Sequence, residues 1–77
     1  MKEIERMCPM CQTLSSVKIT DEEEKGLEQF VKGEKHLQDA LPNTSAPVRE
    51  FLHTGFCREC QLDIFGNTDE RIERKRG

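Results

Sequence analysis

Two short cysteine motifs constrain this chain more than anything else in it. Cys8 and Cys11 frame C-P-M-C, and Cys57 and Cys60 frame C-R-E-C. Two residues between thiolates let a tight turn aim both sulfurs at one point, while backbone N–H groups of the turn bond to them. Two such knuckles supply four ligands and close a tetrahedral shell, the donor set of structural zinc. The ligands expected are therefore Cys8, Cys11, Cys57 and Cys60, around one structural Zn2+. The 45 residues between the pairs exceed the roughly 15–20 of compact zinc modules, so other uses of the same residues stay open. A disulfide framework suits a small exported domain. A thioredoxin-type pair needs a strand end opening a helix in a βαβ pattern. A four-thiolate iron site has the same geometry as zinc.

Size makes a staple necessary. The 77 residues suffice for one domain, and hydrophobic residues are 34% of them, with no Trp and no Tyr. Setting the cysteines aside, 22 apolar side chains remain to build a core. A core of that size rarely supplies more than about 3–5 kcal/mol, whereas zinc binding to small finger peptides is worth about 10–16 kcal/mol. A shared ion would tie residue 8 to residue 60, so the metal-free chain is expected to be largely unfolded. The opening MKEIERMCPM lacks the apolar run of an export signal, and nothing approaches the roughly 20 apolar residues of a spanning helix. The expected location is the cytoplasm, or the host cytoplasm for a phage-encoded chain, where thiols stay reduced. Little surface is left to line a deep pocket, and Ser, His and acidic residues occur without recognisable catalytic spacing. The chain reads as no enzyme.

Between the knuckles the periodicity changes. Thr13–Thr20 alternates Val17 and Ile19 against polar neighbours, which predicts a strand hairpinned with Ile4–Met7 or with the first knuckle. Thr20 and Glu23 match a capping box at a helix start. Leu27, Phe30 and Val31, then Leu37, Ala40 and Leu41, then Val48, Phe51 and Leu52 each repeat the i, i+3, i+4 spacing of a helical face. Gly33 predicts a break between the first two. Pro42 ends the second helix, Ala46-Pro47 open the third, and Gly55 closes it. The second knuckle feeds a short helix ending at Gly66-Asn67. The expected fold is a small α+β zinc-stabilised domain over residues 1–66, with two Cys knuckles, a short β-hairpin and three to four short helices. Residues 67–77 are expected to be a charged, flexible tail, since Ile72 is their one apolar residue.

Charge bears on partners. The net charge is −3, or about −5 with a four-thiolate divalent site included. Residues 21–28 hold five acids and one Lys, and the basic residues Arg71, Arg74, Lys75 and Arg76 are mixed with Asp69, Glu70 and Glu73. A nucleic-acid module carries a basic face, so nucleic-acid binding through the domain is disfavoured. His53, four residues before Cys57, is close enough to stand behind the thiolates, though a surface or packing role suits a site already holding four cysteines.

From Gly33 to Cys60 the chain resembles a pattern found in small uncharacterised bacterial and phage proteins. The matching residues are Gly33, Gln38-Asp39-Ala40, Pro42, Ser45, Arg49-Glu50-Phe51, Gly55, Cys57 and Cys60. The resemblance implies a bacterial or phage origin and carries no activity. The cysteine arrangement itself is similar to treble-clef and zinc-ribbon zinc fingers. Gln38, Asp39, Arg49 and Glu50 are the candidate contacts to a partner, although Gln38 and Asp39 would alternatively hold a turn by hydrogen bonds. The function expected is a non-catalytic, zinc-stabilised protein-interaction module, a regulator of a larger host enzyme. The alternatives are a zinc-ribbon-like nucleic-acid binder using Lys18, Arg58 and the tail, and a thiol-based redox or metal sensor. No membrane partner is expected, and the oligomeric state is not set by the sequence.

Overall fold

A computed structural model describes residues 1–75. The first strand, β1 (Lys2–Met7), pairs antiparallel with β2 (Leu14–Ile19) in the register Lys2 with Ile19 through Met7 with Leu14. The hairpin predicted around Ile4–Met7 is therefore present, and the first knuckle is its tip. Val17 and Ile19 are fully buried, so the face they share with their partners Ile4 and Lys2 looks onto the core.

Four helices follow: α1 (Asp21–Val31), α2 (Leu37–Ala40), α3 (Ala46–Thr54) and α4 (Arg58–Phe65). The capping box at α1 is complete, with Glu23 N–H donating to Thr20 Oγ1 at 3.2 Å and Thr20 N–H to Glu23 Oε1 at 2.9 Å. The helix ends where Gly33 takes φ 78°, with Gly33 N–H bonded to Phe30 O and Glu34 N–H to Gln29 O. That paired closure is the Schellman arrangement, and it makes residues 21–41 two helices. Ser45 caps α3 by accepting from Val48 N–H. The core consists of Val17, Ile19, Leu27, Leu41, Val48, Phe51, Leu52 and Ile72, with Ile4, Phe30, Leu37 and Ala40 packed against it. All three predicted helical faces contribute, but Val31, expected on the first of them, is 73% exposed and takes no part in the core.

The expected boundary at residue 66 is not where packing ends. A third strand, β3 (Glu73–Arg74), pairs with β2 through Ser15 and Ser16 to complete the sheet order β1-β2-β3. Ile72, just ahead of it, is wholly buried. Arg71 spans back to Glu23 with Nη2–Oε1 2.7 Å and Nη1–Oε2 3.1 Å, and donates also to the carbonyl of Lys18. One apolar residue and one bidentate ion pair thus fix residues 69–75, and a two-residue strand has no periodicity to announce it. Arg76 and Gly77, the end of the expected tail, lie outside the described residues.

Candidate metal centre

The two knuckles are built by different local rules. In the first, Cys8 N–H bonds to Thr13 O at 2.9 Å, continuing the hairpin ladder one step past Met7 and Leu14. Gln12 N–H then bonds to Cys8 O, with Gln12 in the left-handed region at φ 60°. The turn Pro9–Gln12 folds Cys8 and Cys11 to one side. In the second, Cys57 is the N-cap of α4, its sulfur accepting from Cys60 N–H at 3.4 Å. Cys60 follows three residues later, in the first helical turn.

Gly55 brings the knuckles together. It closes α3 at φ 87°, and a Cβ there would lie 3.2 Å from both Arg6 Cβ and Met7 O. Only glycine accepts both the left-handed backbone and the close approach to the end of β1. The chain then reaches Cys57 directly beside Cys8.

All four sulfurs lie within 4.8 Å of one another. Cys11 Sγ is 3.4 Å from Cys57 Sγ, and Cys8 Sγ is 3.6 Å from Cys60 Sγ. A disulfide would need about 2.05 Å. A regular tetrahedron with metal–sulfur bonds of about 2.3 Å has edges of about 3.8 Å. The spacing fits four thiolates around one metal ion. Cys8 and Cys57 are buried, Cys60 is half-buried and Cys11 is exposed.

Proton affinities divide across the cluster. Burial pushes the Cys8 thiol up, but N–H groups of Cys57, Cys11 and Met10, with the Cys60 thiol, outweigh it and bring it down to about 6. The Thr13 side chain, 3.1 Å from Cys11 Sγ, and the Thr13 backbone hold Cys11 below the usual thiol range. Cys57 is raised mainly by burial, and Cys60 mainly by the neighbouring Cys57 sulfur. Proton affinity is thus lowered on the first knuckle and raised on the second. A divalent cation placed among the sulfurs would deprotonate all four.

Gln61, adjacent to Cys60, is fully buried. Its Nε2 donates to Pro47 O at 3.0 Å and to Phe56 O at 3.2 Å, and its Oε1 accepts from Thr68 Oγ1 at 3.5 Å. It fastens the second knuckle to the start of α3. Nothing in the sequence marks it, since Gln is mostly a surface residue.

The other candidate residues separate. The His53 ring meets Phe30 edge-on with centroids 5.4 Å apart, and the sulfur cluster does not include it. Gln38 and Asp39 are exposed on α2, and among the described residues neither side chain makes a turn-holding hydrogen bond. Arg49 and Glu50 are half-buried on α3. Glu50 alone joins a groove of about 310 Å³ between α3 and α4, with Pro47, Gln61 and Phe65 on its walls. On α4, Leu62, Ile64 and Phe65 are exposed. Arg71, Arg74 and Lys75 each form an ion pair, with Glu23, Glu59 and Glu3 respectively.

No protein-family model matches the chain, and comparison with curated proteins and solved structures finds no match. No helix among the described residues is long and apolar enough to cross a membrane.

Proposed function

We propose that the four cysteines hold one zinc ion as a structural staple, in a treble-clef-like arrangement, and that the chain is a non-catalytic protein-interaction module. The observation that carries this is the convergence of two separate knuckles, one on a hairpin tip and one on a helix start, to sulfurs within 4.8 Å of one another. Zinc would supply coordination alone, since four thiolates fill its tetrahedral shell and leave no position for a substrate. The exposed Leu62, Ile64 and Phe65 beside the centre, with Met7 and Met10 exposed at its other edge, support contact with a protein. Pairing of the C-terminal basic residues with acids counts against a basic arm for nucleic acid.

Elemental analysis of protein purified without added metal tests the first half: one zinc per chain is expected. A strong chelator is expected to collapse the melting transition, and an unchanged curve would refute the staple. For the second half, immobilised zinc-loaded protein is expected to capture a stoichiometric protein partner and to lose it on chelation. Recovery of nucleic acid alone would overturn that reading.

A further inference from the structure

We infer that the cluster is also a redox staple: under oxidation its sulfurs pair across the two knuckles, Cys11 with Cys57 and Cys8 with Cys60, so that covalent bonds replace the metal. The release of zinc in this scheme rests on the reading above, whereas the pairing does not.

The geometry points to this pairing. All four sulfurs lie within 4.8 Å of one another, and the sulfur–sulfur hydrogen bonds at 3.4 and 3.6 Å both run from the hairpin tip to the second knuckle. Exposure sets the order. Cys11 is exposed while Cys8 and Cys57 are 0% and 3% accessible, so an oxidant from solvent meets Cys11 first. The oxidant class is a peroxide. The Cys11 sulfur attacks one peroxide oxygen, forming an S–O bond as the O–O bond breaks, and the departing hydroxide takes a proton to become water. The Cys57 sulfur attacks that sulfur, the S–S bond forms as the S–O bond breaks, and the departing hydroxide takes the Cys57 proton and leaves as water. The two sulfurs lose two electrons and the peroxide gains them. With Cys11 and Cys57 joined, the site would no longer hold a metal ion, and a second peroxide oxidises Cys8 and Cys60 in the same way.

The consequence is specific to cross-pairing. Both bonds would join the same places that the metal joins, so the hairpin tip stays on α4. Pairing within each knuckle, Cys8 with Cys11 and Cys57 with Cys60, would leave the two halves unconnected.

The test oxidises the full chain, as isolated, with measured equivalents of hydrogen peroxide, followed by trypsin without reductant. Arg58 lies between Cys57 and Cys60, so trypsin separates them, and tandem mass spectrometry then reads each linked pair. The expected product joins the Cys8/Cys11 peptide to both C-terminal cysteine peptides, as Cys11–Cys57 and Cys8–Cys60. Zinc appears in a chromogenic chelator assay in step with the first disulfide, and the oxidised, metal-free protein keeps its helical circular dichroism. Within-knuckle pairing, the reverse cross-pairing, or four thiols surviving excess peroxide would each overturn the inference. Protein that arrives without metal yet cross-pairs as stated would refute the zinc reading and leave the pairing standing.

Discussion

Replacing Glu23 with Gln tests the junction that fixes the C-terminal segment. The Glu23 carboxylate accepts from Thr20 N–H at 2.9 Å, Thr44 Oγ1 at 2.5 Å, and two Arg71 nitrogens at 2.7 and 3.1 Å. It joins the start of α1, the turn before α3 and the approach to β3. Hydrogen bonds from Arg71, then Thr44 and the Thr20 backbone, outweigh burial and lower its pKa from 4.5 to about 2. At about 1.4 kcal/mol per unit, that preference for the charged form is worth about 3 kcal/mol. The Arg71 side chain is 37% exposed, so solvent screening reduces the expected loss to about 2 kcal/mol. Gln keeps the volume and a capping oxygen, which confines the change to charge and one acceptor. Urea unfolding at pH 7 with excess zinc measures it, and a melting shift of roughly 8–16 °C corresponds to the same loss. A depressed folded value means this contribution is fully present above about pH 4.5 and disappears as pH falls towards about 2. The gap between wild type and Glu23→Gln is therefore constant from pH 7 to 5. A difference under about 0.5 kcal/mol at pH 7 would mean that the junction is a surface ion pair of no consequence.

Gly26→Ala is expected to destabilise although Ala gains about 1 kcal/mol in a helix. The new Cβ would lie 2.3 Å from Ala40 O, and overpacking costs about 1–3 kcal/mol; a raised urea midpoint would show that α2 does not seat on α1. Ile72→Ala is expected to cost about 2–4 kcal/mol, the range for a buried aliphatic residue, and a loss under 0.5 kcal/mol in urea unfolding would restore the flexible tail. Gln61→Leu keeps a similar volume but leaves the carbonyls of Pro47 and Phe56 without its amide. A loss of about 2 kcal/mol is expected, with faster transfer of zinc to a competing chelator; unchanged transfer would separate Gln61 from the centre.

What the sequence made readable was local. Thr20 and Glu23 are three residues apart, and Cys8 with Cys11 and Cys57 with Cys60 are each two intervening residues from a partner. The helix faces through Leu27, Val48 and Phe51 repeat within one turn. Short-range rules capture all of these. What escaped depends on residues meeting from far along the chain. Thr44 looked like a turn residue and Arg71 like part of a tail, until Glu23 was found between them. Gly26 carries no local signal, and its reason is the backbone of α2 beside it. Gln61 has a polar side chain whose burial only the fold could decide. The convergence of the knuckles stands between these classes: spacing named the four cysteines, but Gly55 against Arg6 and Met7 is what brings them together.

The placement of the centre relative to the core limits what the metal can control. The buried cluster runs from Val17 to Ile72 and takes nothing from α4. The one buried residue of α4 is Gln61, while Leu62, Ile64 and Phe65 face outward. Cys57, Cys60 and Gln61 are the buried and half-buried ties of α4, beside the exposed Glu59–Arg74 ion pair and the packing of Phe65 on Phe56, and two of those three are sulfurs of the cluster. Losing the metal would free α4 first and the sheet with α1 and α3 afterwards, because those share an apolar core and the Glu23 junction. The apolar side chains that the proposed partner would meet are on the element that a metal ion at the cluster would position. A partner binding them would gain or lose its site with the state of the sulfurs, since a surface held in place by four thiolates persists only while ion or disulfide holds them together.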